Sequence, residues 1–162
     1  FNAKNVDPEY ILDIAQKAWI SGFIDGEGYI GIVRAKKRAT RQRSDSLLYQ
    51  PWIIITSTDI KVLEDIQLVV RTQKRASLRP TEGRKIGYQI KINKFDDVVD
   101  FLEAVRPYLR VKQKQAELLV KYCRLRKKVK IITGRGSRGQ SSFGKNEEII
   151  YLKLRKLNKR GI

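Results

Sequence analysis

Two carboxylates, those of Asp25 and Glu27, lie between glycines in the segment WISGFIDGEGYIGI, where an apolar helix gives way to a strand. The C-terminus of a helix carries partial negative charge, so a carboxylate there is disfavoured by about 0.3–1 kcal/mol. A bound divalent cation would reverse that penalty, because Mg²⁺ is bound through carboxylate, backbone carbonyl and water oxygens. Capping of backbone N–H groups is the alternative explanation, and it suits Asp25 better than Glu27.

The rest of the composition narrows the available chemistry. The chain of 162 residues has no histidine and a single cysteine, Cys123. Triads that need histidine, a structural zinc site and an internal disulfide are therefore excluded. A single cysteine suits a reducing compartment, and no apolar run is long enough to cross a membrane. We expect an intracellular protein whose chemistry depends on carboxylates, hydroxyls, amines and a hard cation.

The net charge of +18 indicates a polyanionic partner, and nucleic acid is the first candidate. The charge is uneven, since residues 121–162 contain 14 Lys and Arg against 2 acidic residues. A solvated, solubilising surface is the alternative explanation. Such a surface usually mixes the two signs, so nucleic-acid binding is favoured.

The hydrophobic periodicity predicts alternating groups of helices and strands. The first helix is limited by Asp7 as its N-cap, Pro8 in its first turn and Gly26 as its stop. The second helix is capped by Ser57 or Thr58. This order indicates an α+β fold with one antiparallel sheet and helices on one face. The expected helices cover 7–25, 57–70, 95–109 and 112–129, and the expected strands cover 29–35, 49–56, 75–79 and 85–92.

The chain divides into three predicted segments. A single domain covers 1–132, and a flexible, basic, Gly/Ser-rich connector covers 133–146. A short basic helix covers 147–162, with its two acids in the first turn, where the helix dipole favours them.

Polar and apolar residues alternate in the last two strands, which predicts one apolar and one polar face for the sheet. A polar two-stranded ribbon fits the major groove of DNA, although an ordinary solvated face would show the same alternation. We expect Arg75, Ser77 and Arg79 to share the polar face with Gln89 and Lys91. With the basic segment that follows the first strand, the candidate DNA contacts are Arg34, Lys36, Lys37, Arg38, Arg41, Arg43, Arg75, Ser77, Arg79, Arg84, Lys85, Gln89 and Lys91.

The first helix has small residues at every fourth position, namely Ala18, Gly22 and Gly26. Such a stripe lets a second backbone approach closely. Ile20 and Phe23 cover much of the remaining surface, so we expect the helix to be buried nearly all round. Its partner is either another helix of the chain or the same helix of a second protomer.

The nonapeptide ISGFIDGEG within this helix resembles the signature of the LAGLIDADG homing endonucleases. Gly22, Asp25 and Gly28 match the signature, whereas Gly26 replaces Ala and Glu27 replaces the second Asp. The longer side chain of glutamate retains the charge and could alter the geometry of a bound metal.

Two further features extend the resemblance to about residues 8–128. The segment RPYLRVKQKQAELL, Arg106 to Leu119, is similar to a segment of the family members that have one motif. The predicted order of elements also agrees with theirs. The resemblance implies the αββαββα homing-endonuclease fold, in which a four-stranded antiparallel saddle sheet carries helices on one face, and here C-terminal helices follow.

By this resemblance the chain would act as a homodimer on double-stranded DNA, with no membrane and no small-molecule substrate. The dimer would make double-strand breaks in a long, near-palindromic target and leave short 3′ overhangs. An intron-encoded origin and a DNA-associated location in a prokaryotic cytoplasm or nucleoid, or in an organelle, are implied as well.

The resemblance also assigns roles to individual residues. Glu27 and the carbonyl of Gly26 would bind Mg²⁺. Mn²⁺ would substitute for Mg²⁺, whereas Ca²⁺ would bind without supporting efficient turnover. Asp25 would have a structural, capping role. The other implied catalytic residues are Lys112, Lys61 and Ser57, the last where relatives often carry Gln. The implied dimer contacts are Ala18 and Gly22.

Two other functions are compatible with the charge. One is RNA binding, by a maturase or a ribosomal-RNA-binding protein, because basic charge does not separate RNA from DNA. The other is a sequence-specific DNA-binding regulator without catalysis. The two acids at the helix end argue against both, since neither function needs carboxylates there.

Overall fold

The computed structural model describes residues 13–37, 46–70, 75–78, 87–133 and 145–159. These residues form five helices, four strands and one 3₁₀ turn, in an order that confirms the predicted α+β class. In chain order they are α1 (Ile14–Glu27), β1 (Gly28–Lys37), β2 (Ser46–Ser57), α2 (Ile60–Val70), β3 (Arg75–Leu78), β4 (Gly87–Ile92), α3 (Phe95–Val105), the 3₁₀ turn (Arg106–Tyr108), α4 (Gln113–Thr133) and α5 (Lys145–Leu157).

The strands form one antiparallel sheet in the order β1-β2-β4-β3. Gly28 pairs with Ile55, so the start of β1 lies beside the end of β2. Because β1 follows α1 directly, the C-terminal end of α1 lies at this same end of the sheet.

Alternate isoleucines of the sheet form the floor of the core. The helices α1, α2 and α3 pack against β2 on this side, and each fully buried isoleucine contributes about 1.5–3 kcal/mol. Apart from the buried Gly31, the intervening positions whose burial is described are only partly covered, so the sheet has one helix-covered face and one open face. The buried isoleucines of the sheet are Ile30, Ile32, Ile53, Ile55, Ile90 and Ile92.

The limits of α1 differ from the prediction at both ends. Asp13, with ψ 148°, is the N-cap, and its side chain and that of Gln16 form a capping box. A helix that continues from Pro8 through this extended residue is therefore wrong, and residues 1–12 lie outside the described residues. At the other end the C-cap is Gly28 instead of Gly26. A Cβ at Gly28 would lie 2.9 Å from Cα of Ile24, so only glycine fits the close passage from helix to strand.

The cap of α2 is also different from the prediction. Ser57 still belongs to β2, where it pairs with Tyr88. Its hydroxyl accepts a hydrogen bond from the N–H of Asp59, and the Asp59 carboxylate accepts one from the N–H of Lys61 at 2.9 Å. Asp59 therefore caps the helix, in place of Ser57 or Thr58, because strand pairing holds the chain extended as far as Ser57.

The C-terminal helix α5 joins the main core. Ile150, Tyr151 and Leu154 are buried with the residues of the sheet and α4. The helix begins at Lys145, and residues 134–144 of the predicted connector lie outside the described residues. No helix in the described ranges is both long enough and apolar enough to span a membrane.

Candidate functional site

The carboxylate of Asp25 caps the approach to α4. It accepts hydrogen bonds from the backbone N–H groups of Arg110 at 2.6 Å, Val111 at 3.2 Å and Lys112 at 2.9 Å. The N-terminal end of a helix carries partial positive charge and unsatisfied N–H groups. The penalty for an acid at the end of α1 is thereby offset by the start of α4, without a metal.

The side chain of Lys112 makes the reciprocal connection. Its Nζ donates to the carbonyl oxygens of Ile24 at 2.7 Å and Asp25 at 2.6 Å, at the C-terminal end of α1. A cation is favoured at that end of a helix. The dipole of α4 alone would disfavour a cation just before that helix, but the ammonium of Lys112 lies at the C-terminal end of α1, where its charge is favoured.

The carboxylate of Glu27 is exposed, and no described residue forms a hydrogen bond or ion pair with it. The backbone carbonyl of Glu27 accepts a hydrogen bond from the hydroxyl of Thr56 at 3.4 Å. Of the last four carbonyls of α1, that of Gly26 is the one to which no side chain in the described ranges donates. The Glu27 carboxylate and the Gly26 carbonyl, which belong to consecutive residues, are therefore available to an external ligand.

A metal at this position would need more oxygen ligands than the described residues supply. Within the described residues, no group of three or more His, Cys, Asp and Glu side chains is gathered where it could hold a metal ion. The donor set of one carboxylate and one carbonyl suits Mg²⁺, which often binds through one or two carboxylates and keeps several waters. The residues present therefore fit a part of a magnesium site.

Ser57 and Lys61 lie at the same end of the sheet as Glu27. Ser57 ends β2, one residue after Thr56, whose hydroxyl contacts the Glu27 carbonyl. Lys61 lies in the first turn of α2 and is exposed. A cation there is disfavoured by the helix dipole by about 0.3–1 kcal/mol, so a nearby anion would stabilise it.

One side of α1 is open to solvent in the single chain. Ala18, Gly22 and Gly26 are exposed, and a Cβ added to either glycine would meet no atom within 4 Å. Trp19, 45% exposed, and Ile14, 67% exposed, flank this stripe. The expectation that the helix is buried nearly all round is therefore wrong for the monomer.

The opposite side of α1 is fixed to the core. Ile20 and Ile24 are fully buried. The hydroxyl of Ser21, also buried, donates to the carbonyl of Val105 at 2.9 Å, which ties α1 to the end of α3. The helix is thus held rigidly on one side while its small-residue stripe remains uncovered.

The open face of the sheet carries part of the predicted polar surface. Gln89 pairs with Thr56, and Lys91 pairs with Ile54, on the side away from the buried isoleucines. The ammonium of Lys91 lies 3.8 Å from the ring centroid of Trp52, a cation–π contact that fixes the lysine over the middle of this face.

Three of the predicted DNA contacts are placed differently. Arg34 pairs with the buried Tyr49, and its guanidinium lies 5.8 Å from the ring centroid of Tyr151 in α5. Arg34 is therefore on the helix-covered side, where it contacts α5. Sequence periodicity does not predict where that helix packs. In β3, the register sets Arg75 opposite Ile90 and Ser77 opposite Tyr88, whereas Ala76 is opposite Gln89. The polar rows of β3 and β4 are out of phase by one residue, so the predicted common face is wrong.

The remaining predicted contacts lie in the hairpin and the loops. Lys36 and Lys37 belong to β1 and pair with Leu47 and Ser46. The candidates outside the described residues are Arg38, Arg41, Arg43, Arg79, Arg84 and Lys85.

The single thiol has no place in the chemistry of the site. Cys123 is 1% exposed in the core, and burial raises the pKa of its thiol to about 12. Since the thiolate is the nucleophilic form, Cys123 is inert at neutral pH. Its neighbour Tyr122 is also buried and donates its hydroxyl to the carbonyl of Tyr49 at 3.0 Å, which is a structural contact.

Residues that the sequence analysis did not identify line a recess beside β1. These residues, Tyr29, Arg155, Asn158 and Lys159, come from the edge strand and the end of α5. The excess of basic residues toward the C-terminus was the available signal, but it did not show where α5 packs.

Comparison with known proteins identifies the fold. No protein-family model and no curated protein matches the sequence. Among solved structures, the homing endonuclease I-CvuI in complex with the I-CreI target is 19% identical with a TM-score of 0.57, and the match covers 86% of this chain and 94% of that chain. The archaeal intron-encoded homing endonuclease I-Vdi141I, complexed with DNA, is 17% identical with a TM-score of 0.55, covering 88% and 96%.

A third structure shows the same fold within a longer chain. The LAGLIDADG homing endonuclease I-SmaMI, bound to cleaved DNA, is 13% identical with a TM-score of 0.58, and the match covers 94% of this chain and 45% of that chain. The fold of these proteins is therefore the fold of this chain.

Proposed function

We propose that this chain, which has the LAGLIDADG homing-endonuclease fold, is a site-specific DNA endonuclease that makes metal-dependent double-strand breaks as a homodimer. One observation carries the proposal. At the end of α1, Asp25 is used in capping, whereas the exposed Glu27 carboxylate has no partner among the described residues. The C-terminal end of a helix carries partial negative charge, so an acid there that has no protein partner is explained by a bound cation.

A second copy of the chain would complete the site. The uncovered stripe of Ala18, Gly22 and Gly26 permits close contact between two α1 helices. Because Gly26 and Glu27 end the same helix, such a dimer would bring two carboxylates and two carbonyls together. This supports the homodimer and accounts for the small number of metal donors among the described residues of one chain.

Glu27 and the Gly26 carbonyl would hold Mg²⁺. When bound, the metal supplies an activated water and neutralises charge on the phosphodiester. Mn²⁺ would replace Mg²⁺, and Ca²⁺ would support DNA binding with little turnover, because it accepts a looser ligand geometry.

Lys112 is proposed to contribute by positioning the metal donors. It binds the two carbonyls that immediately precede that of Gly26, so it fixes the direction of the chain at the donor residues. Ser57 and Lys61 flank the same end of the sheet and are proposed to orient water and the phosphate.

The open face of the sheet is the proposed DNA surface. Gln89 and Lys91 lie on it, and the net charge of +18 supports a polyanionic partner. We propose a saddle-shaped contact in the major groove of each half of a long, near-palindromic site, with cleavage leaving short 3′ overhangs. An intron-encoded gene and a DNA-associated location inside the cell are proposed with the same function.

Cleavage of a randomised plasmid library in Mg²⁺ tests the proposal. The wild-type chain should linearise a subset of plasmids, and Glu27→Gln should abolish cleavage while DNA affinity changes by only a few-fold. Full activity in EDTA, or wild-type cleavage by Glu27→Gln, would exclude the metal mechanism. Retardation of DNA without cleavage would indicate a regulator, and displacement of DNA by RNA at lower concentration would indicate an RNA-binding protein.

A further inference from the structure

The helix α5 packs along one edge of the sheet, the edge formed by β1. β1 is an edge strand, and such strands leave unpaired backbone groups that must be protected. The side-chain amide of Asn158 donates to the backbone carbonyl of Ile30 at 2.9 Å, directly at this edge. Tyr151 and Leu154 pack behind it in the core.

The first turn of α5 is anchored as firmly as its end. Glu147, whose side chain is 7% exposed, forms an ion pair with Arg126 of α4 at 3.1 Å. Glu148 accepts a hydrogen bond from the hydroxyl of Tyr49 at 3.0 Å. The helix is therefore held at both ends, and its remaining side chains have fixed positions relative to the sheet.

A recess of about 370 Å³ lies between the end of α5 and β1. The polar groups that line it are the hydroxyls of Tyr29 and Tyr151, the amide of Asn158 and the cations Arg155 and Lys159, and no acidic residue of the described ranges lines it. Burial raises the pKa of Tyr29, so its hydroxyl stays protonated and can donate a hydrogen bond at neutral pH. The set consists of donors and positive charges, which suits an anion.

The recess and the open face share Tyr29. Tyr29 pairs with Ile54, which pairs with Lys91, so these three residues form one row across that face. The Tyr29 ring lies across Gly31, where a Cβ would meet its hydroxyl and would lie 2.9 Å from the amide nitrogen of Asn158. Glycine at this position lets the tyrosine turn from the face toward the end of α5.

We propose that this recess binds one backbone phosphate of DNA lying on the open face, so that α5 is a phosphate-contacting wall at the β1 edge. The inference depends on the proposed function, because it takes duplex DNA as the ligand. A phosphate diester matches the recess in charge and in its need for several donors.

The salt dependence of DNA binding tests this site. The variant Arg155→Gln/Lys159→Gln is compared with Lys153→Gln/Lys156→Gln, which removes the same charge from residues that line a separate groove between α4 and α5. All four side chains are exposed, so both variants should melt as the wild type does. Binding of random-sequence duplex DNA is measured as a function of salt concentration.

The two variants should differ in slope. Loss of one phosphate contact lowers the slope of log K against log salt by about 0.9, and this is expected for Arg155→Gln/Lys159→Gln and not for the control. Tyr29→Phe should weaken binding by a few-fold without changing the net charge. Equal slopes for the two double variants, with DNA binding by the wild type intact, would overturn the phosphate site alone. Absence of DNA binding by the wild type would overturn the proposed function together with it.

Discussion

Two sets of hydrogen bonds join the end of α1 to the start of α4, and replacement of Lys112 by Met removes the set made by its ammonium. The Lys112 ammonium makes two charge-assisted hydrogen bonds to carbonyl oxygens, and such bonds contribute about 1.5–3 kcal/mol each. The Ile24 carbonyl retains the N–H of Gly28 as a donor, so the loss centres on the Asp25 carbonyl. We expect Lys112→Met to lower the free energy of unfolding by about 1.5–3 kcal/mol.

The same variant should slow DNA cleavage. Because Lys112 fixes the carbonyls next to the proposed metal donors, we expect at least a tenfold loss in the single-turnover rate, about 1.4 kcal/mol of barrier. Lys114→Met is the matched control, since Lys114 is exposed two residues further along. Urea unfolding gives the stability, and single-turnover cleavage of a selected site at saturating Mg²⁺ gives the rate.

The comparison between the two variants decides the outcome. Equal stability of Lys112→Met and Lys114→Met would refute the role of Lys112 at the end of α1. Equal rate losses, despite different stabilities, would show a general effect of positive charge on DNA binding instead of positioning.

Four further results are expected. Gly22→Leu should stabilise the monomer by about 0.8 kcal/mol through helix propensity, because the new side chain meets open space. The same change should weaken dimerisation by at least about 1–3 kcal/mol through overpacking. Sedimentation that shows no change in association would contradict the α1 interface. Asp13→Ala should cost about 0.5–2 kcal/mol of stability in urea through loss of the capping box, and an unchanged midpoint would argue against that start of α1. Cys123, with its pKa raised to about 12, should react with a thiol reagent at pH 8 only after unfolding, and rapid labelling of the native chain would contradict its burial. Lys91→Gln should change the base preference among sites selected from a cleaved library, and an identical preference would exclude the open face as the DNA surface.

Local patterns predicted the elements of the fold better than their ends. Alternating isoleucines such as Ile53 and Ile55 indicated strands because one face of an antiparallel sheet must be apolar. The start of α1 was misassigned because Asp7 and Pro8 form a good helix-start signal. The capping box of Asp13 and Gln16 was an equally good signal six residues later, and the chain uses it.

The site was only partly predictable, because its contacts join distant parts of the chain. The motif indicated Asp25 and Glu27, and the capping explanation suited Asp25, but the capped groups belong to residues 110–112. The contacts of Lys112 could not be predicted because its partner carbonyls lie 87 and 88 residues away in sequence. Arg34 was predicted as a DNA contact, whereas its guanidinium lies over the ring of Tyr151, because α5 packs beside β1 and no local pattern reveals that packing.

The hydrogen bonds between the end of α1 and the residues before α4 also limit the order in which the chain can fold during synthesis. Translation proceeds from the N-terminus, and the strands of residues 28–92 emerge before any donor to Asp25 exists. In the nascent chain, the end of α1 therefore lacks its hydrogen bonds to residues 110–112 until the segment leading into α4 has left the ribosome. A ribosome-bound fragment that ends before residue 106 therefore carries all four strands, while its Asp25 still lacks the donors of residues 110–112.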